Sequence, residues 1–395
     1  MTGRLCFLSL NALPYLSEHG PEFAGGAEAQ EVRIAKGLAA RGWKVSFLTE
    51  DHGQEELTRA SPIEIRATYP PSAGLPIARF IWPRLLSVRR ALRATPADVY
   101  LTRTASIWSA VIAAHARAVG AASVLALSHD REATLQLRGI LNARDRWLFK
   151  RGLHRVDRII AQTESQSELL RKSTGLDSII VPNGIDPAQG RRRPRRRQSG
   201  RVRVLWVGTL RPWKRPELFV ELAASLPEID FTLIGGSDPR RPGLPEWVNA
   251  RAAGLPNLEV LGYVKPERIG RFFDLADIFV STSRAEGFPN TFLEAWVRGV
   301  AVISMGSDPQ RAISRRGAGV IARDARELRA AVSRLAFDSE LALEMERSSR
   351  KIVGDEFSTR SLLDRYERIC LCLMGSRASA MEKQHIESGR AHVCS

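Results

Sequence analysis

The 395-residue chain has little cysteine, only Cys6, Cys370, Cys372 and Cys394. Cys6 lies in an apolar run and reads as a small buried hydrophobe. Cys370 and Cys372 are too close for zinc-finger spacing and have no histidine cluster beside them. This usage argues against a disulfide framework and for a reducing compartment. Long hydrophobic runs are also missing, and none approaches the ~20 apolar residues that a membrane-spanning helix needs. Met1–Leu10 holds one Arg and a short apolar run, which reads as a first strand rather than a secretory signal. No Asp-x-Asp occurs, and no Gly-x-Gly-x-x-Gly fingerprint follows the first strand. No repeat period marks a solenoid or a collagen. Acidic residues are in the minority: 43 Asp and Glu against 59 Lys and Arg leave a formal charge of +16. Nucleic acid, an anionic membrane surface or phosphorylated substrates would each suit that charge, as would a generally Arg-rich proteome.

Apolar residues make up 44% of the chain, enough for two cores. Strand-like runs fall at Arg4–Leu10, Lys44–Thr49, Ile63–Ala67, Ala97–Leu101, Ser123–Leu127, Arg158–Ala161 and Ser178–Val181. Amphipathic stretches such as Ala27–Ala40 and Ser106–Val119 lie between them. The second half repeats the pattern. Strands are predicted at Arg203–Val207, Phe231–Ile234, Leu258–Leu261, Ile278–Ser281, Ala301–Ile303 and Gly319–Ile321. Helices are predicted at Arg215–Leu226, Pro266–Leu275, Asn290–Arg298 and Ala325–Leu335. Strand–helix alternation predicts parallel sheets covered on both faces, so the fold class is α/β with two Rossmann-like doubly wound domains. The first is expected over residues 1–186 and the second over 201–375. The Arg-rich stretch 187–200 reads as a solvated linker, because a run such as Arg191–Arg197 repels itself and carries no aromatics for base stacking. Leu362–Met374 has a final helix pattern, and 376–395 is expected to lack order.

One segment concentrates the chemistry: Ser281-Thr-Ser-Arg-Ala-Glu-Gly-Phe-Pro-Asn-Thr-Phe-Leu-Glu294. A buried strand ends, a loop carries Glu286 and Gly287, and Pro289 with Asn290 reads as a helix start, Asn290 being a good N-cap. Gly287 permits close backbone approach to a ligand. The N–H groups of Asn290, Thr291 and Phe292 would point out of the helix start, where a diphosphate is favoured. Two glutamates eight apart are common on any surface. Here they frame a turn at the carboxyl end of a strand, where doubly wound folds bind ligands. A second segment, Val207-Gly-Thr-Leu-Arg-Pro-Trp-Lys-Arg-Pro216, supplies Gly208 for a turn and Arg211, Lys214 and Arg215 as cations. With no Asp-x-Asp to hold a metal, these cations are expected to offset a leaving diphosphate, with no metal or cofactor. In a third, Gly25 and Gly26 open the helix that follows the first strand. Alone that is a weak signal, since a glycine turn is its default reading.

Together these residues resemble the large family of retaining nucleotide-sugar glycosyltransferases of the GT-B fold, family 4. The resemblance spans roughly Gly3 to Leu373. It rests on Gly25-Gly26-Ala27-Glu28, Val181-Pro-Asn-Gly-Ile-Asp186, Val207-Gly-Thr-Leu with Lys214, and Glu286-Gly-Phe-Pro-Asn with Glu294-Ala. It implies two domains facing across a cleft, with the last helix crossing back to the first. It also implies that Lys214 neutralises the diphosphate, Glu286 contacts the transferred sugar and Glu294 the ribose. Gly25 and Gly26 would approach the phosphates, and the backbone at Tyr263 and Val264 would cradle the base. Gly287, Phe288, Pro289, Asn290 and Thr291 complete the expected donor site. His129, just past a strand-like run, would lie near the sugar and join Glu286 and Lys214 as catalytic residues. Its alternative is a capping histidine, and His115 reads as structural. The family commonly pairs its Lys with an Arg where this chain has Thr209, and Arg211 is the candidate substitute.

The expected partners are a nucleotide-diphosphate sugar donor and a glycan or lipid-linked acceptor, with no nucleic acid. The acceptor is expected on the first domain. There Ile77–Leu92 combines Phe80, Ile81, Trp82, Leu85 and Leu86 with Arg79, Arg84, Arg89 and Arg90, and Pro83 is placed to begin a helix. Such a segment either packs on the sheet with its arginines in water or meets anionic lipid. The expected location is therefore cytoplasmic, with peripheral contact to the inner face of the membrane allowed. An epimerase or hydrolase of the same architecture, a basic nucleic-acid-binding protein and a binding-only relative remain open alternatives.

Overall fold

The computed structural model describes residues 2–17, 25–55, 57–60, 62–74, 80–138, 141–190, 200–238 and 243–391. The Arg191–Arg197 run and Arg79 lie outside them. The chain divides into two compact units, one formed by Met1–Pro182 with Leu362–Ser395 and the other by Asn183–Ser361.

Among its described residues the first unit holds eight strands: β1 (Arg4–Leu8), β2 (Lys44–Thr49), β3 (Leu57–Ala60), β4 (Ile63–Ala67), β5 (Val99–Arg103), β6 (Ala122–Ala126), β7 (Arg158–Ala161) and β8 (Ile179–Ile180). They line up as β3-β4-β2-β1-β5-β6-β7-β8, all parallel except β3, which runs antiparallel to β4. Alternate side chains of β1 serve opposite faces. Leu5 and Phe7 join Val45, Phe47, Ile63 and Ile65 against helix Gly26–Ala40. Cys6 and Leu8 join Tyr100 against helices Leu86–Ala94 and Trp108–Ala118. A strand buried on both faces must be apolar throughout, which is why these runs lack hydrophobic-polar alternation. His115 is structural, its ring 4.9 Å from that of Tyr100, and burial lowers its pKa.

The second unit holds β9 (Arg203–Val207), β10 (Asp230–Ile234), β11 (Leu258–Val260), β12 (Ile278–Ser281), β13 (Ala301–Ser304) and β14 (Gly319–Ile321). Their order is β11-β10-β9-β12-β13-β14, and every pair is parallel. This is the doubly wound order whose direction reverses between the first and fourth strands, opening a crevice beyond their carboxyl ends. Trp206, Phe231 and Ile303 face helices Pro216–Ser225 and Ala325–Phe337. Leu205, Phe279 and Val302 face helix Asn290–Val297 and helix Ser339–Asp355.

Two readings change and one holds. The last helix spans Thr359–Ala391, well past Met374 and into the tail expected to lack order. Its Leu362, Leu363, Tyr366, Ile369, Cys370 and Leu373 are buried in the first unit's core, so hydrophobic burial assigns it there. Pro83 begins a helical run, as expected: Trp82 before it is extended, with φ of −123° and ψ of 124°, and the run passes through Leu85 into the regular helix Leu86–Ala94. Strand β3 was not legible, because Leu57–Ala60 is short and pairs only at a sheet edge.

Candidate functional site

In the second unit the loops leaving β9 and β12 meet beyond the sheet at the point where strand order reverses. Gly208 begins the first loop. A Cβ there would lie 3.1 Å from the Lys214 side chain and 3.3 Å from the Trp206 ring. The same bend brings the Gly208 carbonyl so close to Gly235 that a Cβ on Gly235 would sit 2.5 Å from it. A short turn, Pro212–Lys214, ends at Arg215, which adopts the left-handed region with φ of 49°. The helix beginning at Pro216 then leads away.

Thr282 laces the two loops together. Its hydroxyl donates to the Lys214 carbonyl at 2.6 Å and accepts from the Trp206 indole N–H at 3.0 Å. Its carbonyl accepts from Arg215 Nε at 2.6 Å. The Arg284 amide donates to the Trp213 carbonyl at 2.9 Å. Two loops fixed in this way place Lys214 Nζ 2.6 Å from Glu286 Oε1. Ser283 Oγ donates to the same oxygen at 2.8 Å. Gly306, beyond β13, backs the loop; a Cβ there would lie 2.4 Å from the carbonyl oxygens of both Ser283 and Arg284.

The helix after this loop begins as expected at Asn290, but Pro289 occupies the N-cap position and Asn290 is the first helical residue. Asn290 therefore does not cap with its side chain. Its Oδ1 instead accepts from Asn183 Nδ2 at 2.8 Å, and Asn183 also donates to the Phe288 carbonyl at 3.2 Å. The Phe292 N–H donates to the Pro289 carbonyl at 3.1 Å, so it is not one of the amides directed outward. Gly287, Phe288 and Pro289 are buried, while Asn290 and Thr291 are half-buried. Glu294, one turn on, pairs with Arg298 at 2.6 Å, and Arg298 also reaches Asp274 at 3.1 Å.

Arg211 is held by the buried carboxylate of Asp238 at 3.0 Å and lies over the Trp213 ring. Thr209 is half-buried in the same loop. Tyr263 is exposed and Val264 half-buried, in the loop that follows β11 at the same end of the sheet. The structure thus brings Lys214, Glu286 and the β9 loop together, with Asn290, Glu294, Tyr263 and Val264 on segments that follow strands at the same end of the sheet.

In the first unit Gly25 is the N-cap of the helix Gly26–Ala40, and both glycines are exposed. His129 caps the short helix Asp130–Ala133: its Nδ1 accepts the Arg131 N–H at 3.1 Å. That bond makes Nε2 the protonated nitrogen of the neutral ring. Beneath these residues lies a buried polar group that the sequence reading missed. Glu31 accepts from the Ser9 hydroxyl, and burial pushes its pKa up to about 8. Glu132 accepts from the Ser128 amide at 2.8 Å and hydroxyl at 2.7 Å, and burial raises it too. The buried Arg103 guanidinium, at the end of β5, opposes both shifts.

Asn183, Thr282, Ser283, Asp238 and Gly306 were likewise missed as site residues. Thr282 and Ser283 lay inside the segment Ser281–Glu294 and Asn183 inside the turn Val181–Asp186, but nothing local showed their partners. Among the described residues no group of three or more His, Cys, Asp or Glu is placed to hold a metal ion. No helix among them is long and apolar enough to cross a membrane.

Comparison with known proteins agrees with this architecture. A model described as Glycosyltransferase Family 4 matches residues 24–189, and one described as Glycosyl transferases group 1 matches residues 201–338. The D-inositol 3-phosphate glycosyltransferase of Geodermatophilus obscurus is 28% identical over 259 residues, which is 60% of this chain and 55% of that protein. The chain thus spans about half the length of this curated relative, and 45% of a second D-inositol 3-phosphate glycosyltransferase, from Catenulispora acidiphila. Sucrose-phosphate synthase from Thermosynechococcus elongatus superposes with a TM-score of 0.79 at 19% identity, covering 94% of this chain and 99% of its own. With two matched models covering most of both units on a shared fold, the chain belongs to the GT-B glycosyltransferases of family 4, the group 1 glycosyl transferases.

Proposed function

We propose that this protein moves a sugar from a nucleotide-diphosphate sugar to a hydroxyl of a glycan, lipid-linked or small-molecule acceptor, with retention of anomeric configuration. The observation that carries the reading is the Lys214–Glu286 pair at the strand-order reversal, 2.6 Å apart and backed by Ser283. An ammonium there can turn from Glu286 to the incoming diphosphate and offset the charge that grows on it as the glycosidic bond breaks. Glu286, left beside the anomeric centre, steadies an oxocarbenium-like transition state. The departing diphosphate takes the acceptor proton on the face it leaves, which gives retention. Glu294 is assigned to the ribose, and the backbone at Tyr263 and Val264 to the base. Asn290 and Thr291 are assigned to the phosphates. His129, a neutral donor through Nε2, is assigned to a sugar hydroxyl, and Gly25 and Gly26 to phosphate contact. HepE from Anabaena, solved in complex with UDP-glucose, has the same fold with a TM-score of 0.72 at 16% identity, which supports a nucleotide-sugar donor.

A thermal-shift screen of nucleotide-sugars, followed by NMR of the product anomer, tests the reading, because a donor that binds only the folded state raises the midpoint. Transfer with retention is the expected result. Donor consumption without an acceptor would favour a hydrolase or epimerase, and tight salt-dependent binding of polynucleotide without donor binding would favour the nucleic-acid reading. Peripheral membrane contact at the cytoplasmic face is supported by Trp82, 68% exposed, and Leu86, 47% exposed, beside the exposed Arg89 and Arg90. Co-sedimentation with anionic vesicles tests it, and indifference to lipid charge would end it.

A further inference from the structure

A cavity of about 490 Å³ opens in the first unit beyond β4 and β5. Its wall is aromatic. Tyr69, Trp108 and Phe80 follow one another, with ring centroids 6.2 Å apart for the first pair and 6.4 Å for the second. Two arginines close the ends. Arg84 lies 5.0 Å over the Tyr69 ring, and Arg144 lies 4.2 Å over Phe80. Neither guanidinium is loose. Arg84 donates to the carbonyls of Pro71 and Ala73, and Arg144 donates to Asp145 Oδ1 at 2.8 Å. Asp145 is the one carboxylate among the described lining side chains, and its other oxygen accepts from Asn142 Nδ2 at 2.9 Å. Two cations therefore face one acid. Arg84 itself is held by neutral carbonyls and only opposes the burial that raises the Glu50 carboxyl nearby.

An apolar aromatic floor accepts the C–H face of a pyranose or cyclitol ring, and fixed forks of N–H groups suit an oxyanion in the ring plane. The volume falls within the range of about 300–1,000 Å³ usual for small-molecule sites. We infer that this cavity is the acceptor subsite, and that the acceptor is a polyhydroxylated ring bearing one anionic group, phosphate or carboxylate, held by Arg84 and Arg144. The inference rests on the glycosyl-transfer reading above and adds the class of acceptor to it.

Calorimetric titration of the full-length protein with glucose 6-phosphate, glucuronate and methyl α-glucoside tests it, with nucleotide-sugar thermal shifts read on the same samples. At least one anionic sugar is expected to bind ten-fold or more tighter than the neutral glucoside. The stronger of the two anions identifies the charged group. Arg84→Gln and Phe80→Ala should each weaken that binding ten-fold or more while the donor shift stays as in wild type, and Arg84→Lys should restore part of it. Hydrogen exchange should slow at Ser106–Trp108 and Leu141–Asp145 when the sugar binds. Equal binding of neutral and anionic sugars, or none by any of them with the donor shift intact, overturns the inference and leaves glycosyl transfer standing. Anionic sugar binding here without any donor binding overturns the acceptor role.

Discussion

Lys214 Nζ and Glu286 Oε1 lie 2.6 Å apart although 72 residues separate them in the chain, because the loops after β9 and β12 are bonded to each other through Thr282. Both side chains are partly exposed, at 22% and 16%, so the pair adds little to folding stability. Its weight falls on ligand binding and turnover.

Glu286→Gln is accordingly expected to lower the transfer rate about 100-fold or more while nucleotide-sugar still raises the thermal midpoint. Lys214→Ala should weaken donor binding by a factor of ten or more with a midpoint of the free protein close to wild type. Rates and thermal shifts on the two variants separate these effects. Normal turnover in Glu286→Gln would remove that residue from the essential set.

Asn183 is buried, and its amide bonds to both Asn290 and Phe288. Asn183→Ala removes the buried amide that donates to both, at a cost of about 1–3 kcal/mol. Urea denaturation should show that loss. Donor affinity should fall as well, since the start of the helix at Asn290 is no longer pinned. A variant with wild-type stability would show that Asn183 does not hold the helix start.

Gly306 admits no side chain, since a Cβ would approach the Ser283 and Arg284 carbonyls to 2.4 Å. Gly306→Ala should push the Glu286 loop away from Lys214, cutting turnover about ten-fold or more through misplacement. Circular dichroism should remain native, because the substitution disturbs a loop and not a core layer.

Glu31 is a buried carboxyl whose pKa stands at about 8, far above that of an exposed glutamate. The folded state therefore holds this proton over a range in which the unfolded chain has already released it. Stability from this group is fully present below about pH 4.5 and declines as pH rises toward 8, by at most about 1.4 kcal/mol per unit. Glu31→Gln keeps an acceptor for Ser9 and should flatten that decline, making the variant more stable than wild type at pH 8 and less different at pH 5. Denaturation midpoints across that range check it, and parallel curves for the two proteins would contradict it.

Much of the fold was legible because the strands are buried on both faces. Lys44–Thr49, Ile63–Ala67, Arg158–Ala161, Arg203–Val207 and Ile278–Ser281 fall on the residues where the apolar runs placed them. The edge strand Leu57–Ala60 escaped because pairing at an edge leaves little hydrophobic signature. The helix Thr359–Ala391 was read short, since the apolar spacing in the sequence stops at Met374 and a helix can continue without it.

The sequence by itself determined which segments become strands and helices, and it marked Gly208, Lys214, Glu286 and Asn290 as residues lying just beyond strand ends. Those are local properties, set by burial pattern, turn residues and helix starts. Tertiary structure alone decided that Lys214 meets Glu286, that Asn183 and not Asn290 ties down the helix start, and that Tyr69, Phe80, Trp108 and two arginines share one cavity. Such contacts join residues tens of positions apart, and strand order in the sheet, which no local signal encodes, fixes which loops become neighbours.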